Sequence, residues 1–185
     1  MPAKHNDITL FVINEKDISN QLDVAIREML VKCFPADLEH FQRLSWWRSF
    51  AVFRVLGKND EDSIVSHTAL VERIIKVGPA LTQIRVLGIQ SFCVLPDYRG
   101  TGLSSKMMSV VIDEGNKRDF DAGLLFCREK LVKVYSNMGW NRLDTPVYTT
   151  DDKKGKTLMP GVIMFYPLKI KQLPTGDVDL AGPDW

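Results

Sequence analysis

The chain has 185 residues, 45% of them apolar and 9% aromatic, which suits one globular domain with a sizeable core and leaves too little for two full domains. Its 24 Lys and Arg against 23 Asp and Glu give a formal net charge of +1, so no global field draws it to nucleic acid or an acidic membrane, and no local basic patch large enough replaces one. The opening MPAKHNDITL lacks a signal-peptide core, and no apolar run approaches the roughly 20 residues of a membrane span, so a soluble, cytoplasmic protein is expected.

In chain order, residues 8–13 (ITLFVI) read as a strand, and 19–33 as a helix with Leu22, Ile26, Met29 and Leu30 at helical spacing behind a Ser19 cap. A short helical piece follows at 37–44. SFAVFRVL (49–56) has strand composition, and GKNDED (57–62) is a turn. The runs 63–77 and 81–95, joined at Gly78-Pro79, complete an antiparallel meander of three strands. The Gly-rich turn DYRGTG then opens a helix with Leu103, Met107, Val110 and Val111 on one face, and AGLLFC (122–127) returns as a strand. A helix with Leu131, Val134, Tyr135 and Met138 on one stripe stops at Gly139. Strands at 145–150 and 161–168 flank a polar turn, DDKKGK. The tail 172–185 has three Asp, no basic residue and no helical pattern. Strand, Gly-rich turn, helix and strand between 81 and 127 form a crossover and imply a parallel pair. The expected fold is α/β (α+β): one domain over 1–185, with a mixed, mostly antiparallel sheet, flanking helices and an acidic tail.

Three cysteines (Cys33, Cys93, Cys127) without CxxC spacing argue against a disulfide scaffold or a zinc site and are expected to be buried thiols. His5, His40 and His67 are scattered, and each reads as structural or solvent-facing. The informative segment is Val94-Leu-Pro-Asp-Tyr-Arg-Gly-Thr-Gly-Leu-Ser-Ser105. Glycines at 100 and 102 let backbone N–H groups approach an anion, and the helix from Leu103 adds unpaired N–H groups and a positive dipole end. Two glycines alone more often make only a tight junction. GxGxxG is incomplete and no P-loop exists, so neither an NAD nor an ATP site is supported. Gln90 and Ser91 are polar positions in a strand expected to be buried, where satisfied core polarity is the commoner case. By periodicity Tyr135 is a core aromatic.

Arg99-x-x-Gly102-x-Ser104 after a strand ending in Val-x-Pro, followed by Tyr135-Ser-Asn-Met-Gly139-Trp140, resembles the two signature regions of the GNAT-superfamily N-acetyltransferases across nearly the whole chain. The position usually held by Gly or Ala is Ser104 here. The resemblance implies a GNAT acyl-CoA N-acyltransferase fold with acetyl-CoA as co-substrate and no metal. The turn Arg99, Gly100, Thr101, Gly102, Leu103, Ser104 and Ser105 would hold the pyrophosphate. The strand Phe92, Cys93 and Val94 would bond the pantetheine arm and acetyl carbonyl, and Tyr135 would protonate the departing thiolate.

Two narrower resemblances concern the acceptor. Ser66-His67, Arg73-Ile-Ile-Lys-Val-Gly78 and Gly182-Pro-Asp-Trp185 are similar to the rhizobial nodulation N-acyltransferases. Val134-Tyr-Ser-Asn-Met-Gly-Trp140, the strand at 161–168 and the terminal tryptophan are similar to the aminoglycoside 2′-N-acetyltransferases. Those aminoglycoside enzymes carry a carboxylate where this chain has Gln90, and an amide is no useful base. Gln90 is therefore expected to orient a water relaying the proton to Glu72, Asp184 or the Trp185 carboxylate. The acceptor implied is the primary amine of a small cation, an aminosugar, aminoglycoside or polyamine, met by Asp37, Glu39, Ser91, Asp184 and Trp185. No nucleic-acid or membrane partner is expected, and a homodimer is left open. The alternatives are an acyl-carrier-protein-dependent N-acyltransferase of the nodulation type and a non-catalytic acyl-CoA sensor.

Overall fold

The computed structural model describes residues 7–151 and 155–185. His5 and the centre of the DDKKGK turn lie outside the described residues. The chain forms two compact units.

The first comprises the described residues up to Leu70 together with Gln90–Val111. It contains β1 (Thr9–Asn14), α1 (Asn20–Cys33), α2 (Leu38–Phe41), β2 (Phe53–Lys58), the first half of β3 (Ile64–Val77), the end of β4 (Thr82–Val94) and the start of α3 (Leu103–Lys117). β2 runs antiparallel to β1 over Thr9↔Lys58 to Asn14↔Phe53, and antiparallel to β3 from Phe53↔Leu70 with a register shift at Gly57/Lys58. The expected cap holds, since Ser19 Oγ accepts from Leu22 N at 3.2 Å. The apolar stripe of α1 closes on the sheet through Ile26, Met29 and Leu30, which pack with Phe41, Leu56, Ile64 and Cys93. A second cluster seats the start of α3, joining Leu103 and Met107 to Val65 and Val94.

The second unit comprises Val71–Ile89 and Ile112–Trp185. It adds β5 (Ala122–Cys127), α4 (Val132–Ser136), β6 (Asn141–Arg142), β7 (Val147–Asp151), β8 (Gly155–Leu158), β9 (Val162–Pro167) and β10 (Val178–Asp179). The strand order is β6-β9-β5-β4-β3-β10-β7-β8. β4 and β5 are parallel, from Val86↔Ala122 to Ile89↔Leu125, as the crossover through α3 requires. The core gathers Val71, Ile75, Val86, Leu124, Phe165 and Trp185 with their neighbours.

Four expectations are corrected. β2 starts at Phe53, not Ser49: Ser49 O is taken by the Gln90 amide, and the backbone joins β3 from Val52, whose N–H donates to Leu70 O. The helix after β5 is a single five-residue stretch, and Val134 is 43% exposed rather than on the buried stripe. On the Gly-rich helix Val110 is only half-buried, and Met108 takes the buried position. The tail carries a strand: β10 pairs antiparallel with β3 and parallel with β7, burying Val178 and Leu180 completely.

Candidate active site

In the first unit, the turn after β4 has Gly100 at φ +76° and Gly102 at φ +81°, left-handed conformations that β-carbon-bearing residues rarely hold. A Cβ at either glycine would point into open space, so the protein leaves the outer side of this turn clear for a ligand. α3 begins at Leu103, and Lys106 N donates to Gly102 O at 3.1 Å. The N–H groups of residues 103–105 precede that bond and form the positive end of a 15-residue helix. Arg99 Nε is anchored on Val94 O at 3.0 Å, tying the turn to the end of β4.

Inside β4 the backbone breaks regularity at Ser91, whose φ is +50°. Among the described residues it is the one non-glycine with positive φ within a strand. The preceding residue, Gln90, is 1% exposed, and its amide is taken up by the loop before β2. Oε1 accepts from Trp47 N at 2.8 Å, while Nε2 donates to Ser49 O at 3.0 Å and Trp47 O at 3.3 Å. Both donors and an acceptor site of Gln90 thus shape the loop. The loop presents Trp46 and Phe50 ring to ring at 4.3 Å, with Phe50 73% exposed.

The strand segment Phe92–Val94 carries a thiol pair. Cys93 is buried, and Cys33 at the end of α1 packs against the same cluster. The Cys93 thiol, with the Arg99 guanidinium nearby, holds the Cys33 thiol below its ordinary range, whereas burial pushes Cys93 well above it. Cys33 and Cys127 are only half-buried, which corrects the expectation of three buried thiols.

In the second unit, Tyr135 is 8% exposed and meets Trp140 edge-on at 6.5 Å. Gly139, at φ +88°, ends the helix with a tight turn in which Trp140 N donates to Tyr135 O.

Residues 16–143 match the family described as Acetyltransferase (GNAT) domain. The chain belongs to the GNAT acetyltransferase family. Solved structures agree on the fold. The GNAT family N-acetyltransferase YhbS of Escherichia coli, in complex with CoA, is 16% identical, covers 95% of this chain and 90% of its own, and has a TM-score of 0.63. A GNAT acetyltransferase of Brucella melitensis, in complex with acetyl-CoA, is 13% identical, with coverage of 92% and 94% and a TM-score of 0.57. The ribosomal-protein-S18-alanine N-acetyltransferase of Escherichia coli is 15% identical, with coverage of 90% and 100% and a TM-score of 0.56. A comparison with curated proteins gave no significant match.

The expected acceptor residues of the GNAT chain belong to different units. Ser91, Asp37 and Glu39 belong to the first, the latter two around the start of α2. Asp184 and Trp185 belong to the second. Trp185 is buried flat against Gly88 of β4, beside Phe126 at 5.0 Å and under the Arg73 guanidinium at 5.7 Å, and its Nε1–H has no partner. Arg73 also donates to the carbonyls of Leu180 and Pro183, and Lys156 pairs with Asp179 at 3.0 Å. Cations absent from the tail's own sequence therefore compensate part of its charge. Glu72, one of the three candidate bases, is paired with Arg85 at 2.8 Å, which lowers its pKa and makes it a poorer proton acceptor. Among the described residues no cluster of three or more His, Cys, Asp or Glu is placed to hold a metal ion, and no helix is long and apolar enough to cross a membrane. His67, read from sequence as structural or solvent-facing, is completely buried. Its place in an apolar run, beside the polar Ser66 and Thr68, was the available signal.

Proposed function

We propose that the protein transfers the acetyl group of acetyl-CoA to the primary amine of a small cationic acceptor of the aminosugar, aminoglycoside or polyamine kind. The observation that carries this is the left-handed double-glycine turn, open on its outer side, at the N-terminus of α3. Such a turn supplies backbone N–H groups and dipole to a diphosphate without side-chain obstruction. The N–H groups of Arg99 to Ser105 take the pyrophosphate, and Phe92, Cys93 and Val94 offer backbone groups to the pantetheine arm and to the acetyl oxygen.

The acceptor must arrive neutral, although a simple alkylamine has a pKa of about 10.4. Desolvation lowers that value, and the freed lone pair attacks the acetyl carbon. Charge then builds on the acetyl oxygen, where fixed N–H donors are worth most. The tetrahedral adduct collapses by breaking the C–S bond, the nitrogen gives up its second proton, and the thiolate receives one from Tyr135. Asp184 and the Trp185 carboxylate remain as acceptors for the departing amine proton, and Glu72 is the poorer one because Arg85 lowers its pKa. Asp37, Glu39 and Ser91 in the first unit, and Asp184 with Trp185 in the second, are the proposed acceptor residues.

Incubation with acetyl-CoA and a mixture of polyamines, aminosugars, aminoglycosides and peptides, followed by weighing the products, tests this. A mass gain of one acetyl group on a small amine is expected. Acetyl-CoA binding with no acetylated product from any amine would favour the sensor reading.

A further inference from the structure

A kinked strand leaves carbonyls that its ladder no longer serves, and buried carbonyls need donors. At the kink of β4 two successive carbonyls are met by side chains of β3. Thr68 Oγ1 donates to Gln90 O at 3.1 Å, and His67 Nδ1 lies 3.1 Å from Ser91 O. Both side chains are completely buried. A carbonyl oxygen only accepts, so Nδ1 carries the hydrogen and Nε2 is bare. Arg54 Nη1, 3.4 Å from Nε2, supplies the donor that this tautomer requires. Arg54 is itself 1% exposed and fixed: Nε and Nη2 grip both carboxylate oxygens of Glu15, at 2.8 and 2.5 Å, and Nη1 donates to Ser45 O at 3.0 Å. Burial and the neighbouring guanidinium hold the imidazole neutral, with a pKa of about 3. The ring is therefore locked in one tautomer and one orientation, with its single N–H on the one non-glycine residue of the strand that is forced into the left-handed region.

We infer that His67 is a positioning residue for acyl-CoA: its Nδ1–H, bonded to the Ser91 carbonyl, holds the kink that turns the backbone of Phe92–Val94 toward the pantetheine arm. This rests on the proposed binding of that arm by the strand. It goes beyond that reading in assigning the strand's conformation to a side chain that touches neither substrate. Glu15, Arg54 and His67 form a relay across β2 and β3, and the same Arg54 fixes the start of the loop that Gln90 fixes further on.

The test compares His67→Asn with His67→Gln. The Asn amide nitrogen falls where Nδ1 was and can still reach Ser91 O, whereas the Gln amide reaches toward the Nε2 position. Both variants lose the ring and are expected to lose similar melting temperature. A purely structural histidine would lose stability in both and leave the affinity of the folded protein alone. Loss of one positioned hydrogen bond corresponds to roughly tenfold in affinity. By calorimetry, His67→Gln should raise the acetyl-CoA Kd by about that factor, and His67→Asn should stay within about threefold of wild type. The affinity for 3′-phosphoadenosine 5′-diphosphate, which keeps the diphosphate and lacks the pantetheine arm, should be unchanged in both. Equal acetyl-CoA affinities in the two variants overturn the inference. If wild type binds 3′-phosphoadenosine 5′-diphosphate as tightly as acetyl-CoA, the strand contributes no pantetheine binding, and the underlying reading fails first. Should neither variant fold, the imidazole N–H resonance of wild-type His67 decides. It should exchange slowly and shift when acetyl-CoA is added, and an unmoved signal at saturation overturns the inference.

Discussion

Replacing Gly88 with Ala should expel or tilt Trp185. A Cβ built at Gly88 would lie 2.6 Å from Nε1 and 2.8 Å from Cδ2 of the indole, and closer still to Cε2. Neither side yields easily. Gly88 is held in β4 by its pairing with Leu124, and the indole is packed against Phe126 and the Arg73 guanidinium. Overpacking of this kind costs about 1–3 kcal/mol. Complete loss of a buried indole sets an upper limit near 4–6 kcal/mol, from roughly 150–250 Å² at about 25 cal/mol per Å². We expect a loss of ~2 kcal/mol, read as a fall of about 4–8 °C in Tm for a chain of this size. The decisive assay is a double-mutant cycle with Trp185→Ala. With the indole gone the clash is gone, and alanine is better than glycine in a strand by about 0.5–1 kcal/mol. Gly88→Ala should then be neutral or slightly stabilising, giving a coupling of at least ~2 kcal/mol. An equal cost with and without Trp185 would refute the proposed packing of the tail on β4.

Four further outcomes are expected. Gly102→Val should weaken acetyl-CoA binding severely by calorimetry, because φ +81° excludes a β-branched residue and its side chain would fill the open outer side of the turn; unchanged affinity would remove the turn from the site. Tyr135→Phe should keep acetyl-CoA affinity and lose roughly 10²-fold in kcat, the range for a general acid; normal turnover on a good amine would make Tyr135 a core residue only. Cys33 should be alkylated faster than Cys93 or Cys127 in mass-mapped iodoacetamide labelling, since its thiol alone is shifted down; equal rates would contradict the lowered pKa of Cys33. The unfolded chain protonates His67 near pH 6.5 and the folded chain only near 3, so its contribution to stability is complete above pH 6.5. It falls by about 1.4 kcal/mol per pH unit as pH drops through that window, and urea titrations at pH 7 and 5 should show a shallower slope in His67→Asn.

The elements read best from sequence were those whose signals are local. The Ser19 cap, the stripe of α1, the crossover through α3 and the run AGLLFC are written in consecutive residues, and the structure reproduces them with small shifts. The failures share a different cause. β8 and β10 are four and two residues long, too short for a period, and exist because distant partners are in reach. Val134 fits a helical stripe, but the helix is too brief for the stripe to be buried. At the candidate site the glycine turn was legible because positive φ calls for glycine. Ser91 hid the same requirement behind a residue that seldom meets it, and the tie between Gln90 and the loop at 47–49 spans more than 40 positions with no pattern to mark it.

The two-residue strand β10 also covers two strand edges that would otherwise stand open. Among the described residues, the hairpin of β7 and β8 joins the rest of its unit's sheet only through β10, which lies between β7 and β3. A nascent chain that has emerged only as far as Pro174 therefore holds two open edges, one at Lys76–Val77 and one at Val147–Tyr148, with their backbone groups unpaired. Both close at once when Val178 arrives, because Val178 N donates to Pro146 O and Asp177 O accepts from Gly78 N. Ribosome stalling or proteolytic trimming in this stretch would thus yield a species with adhesive strand edges, prone to self-association rather than merely short of a few residues.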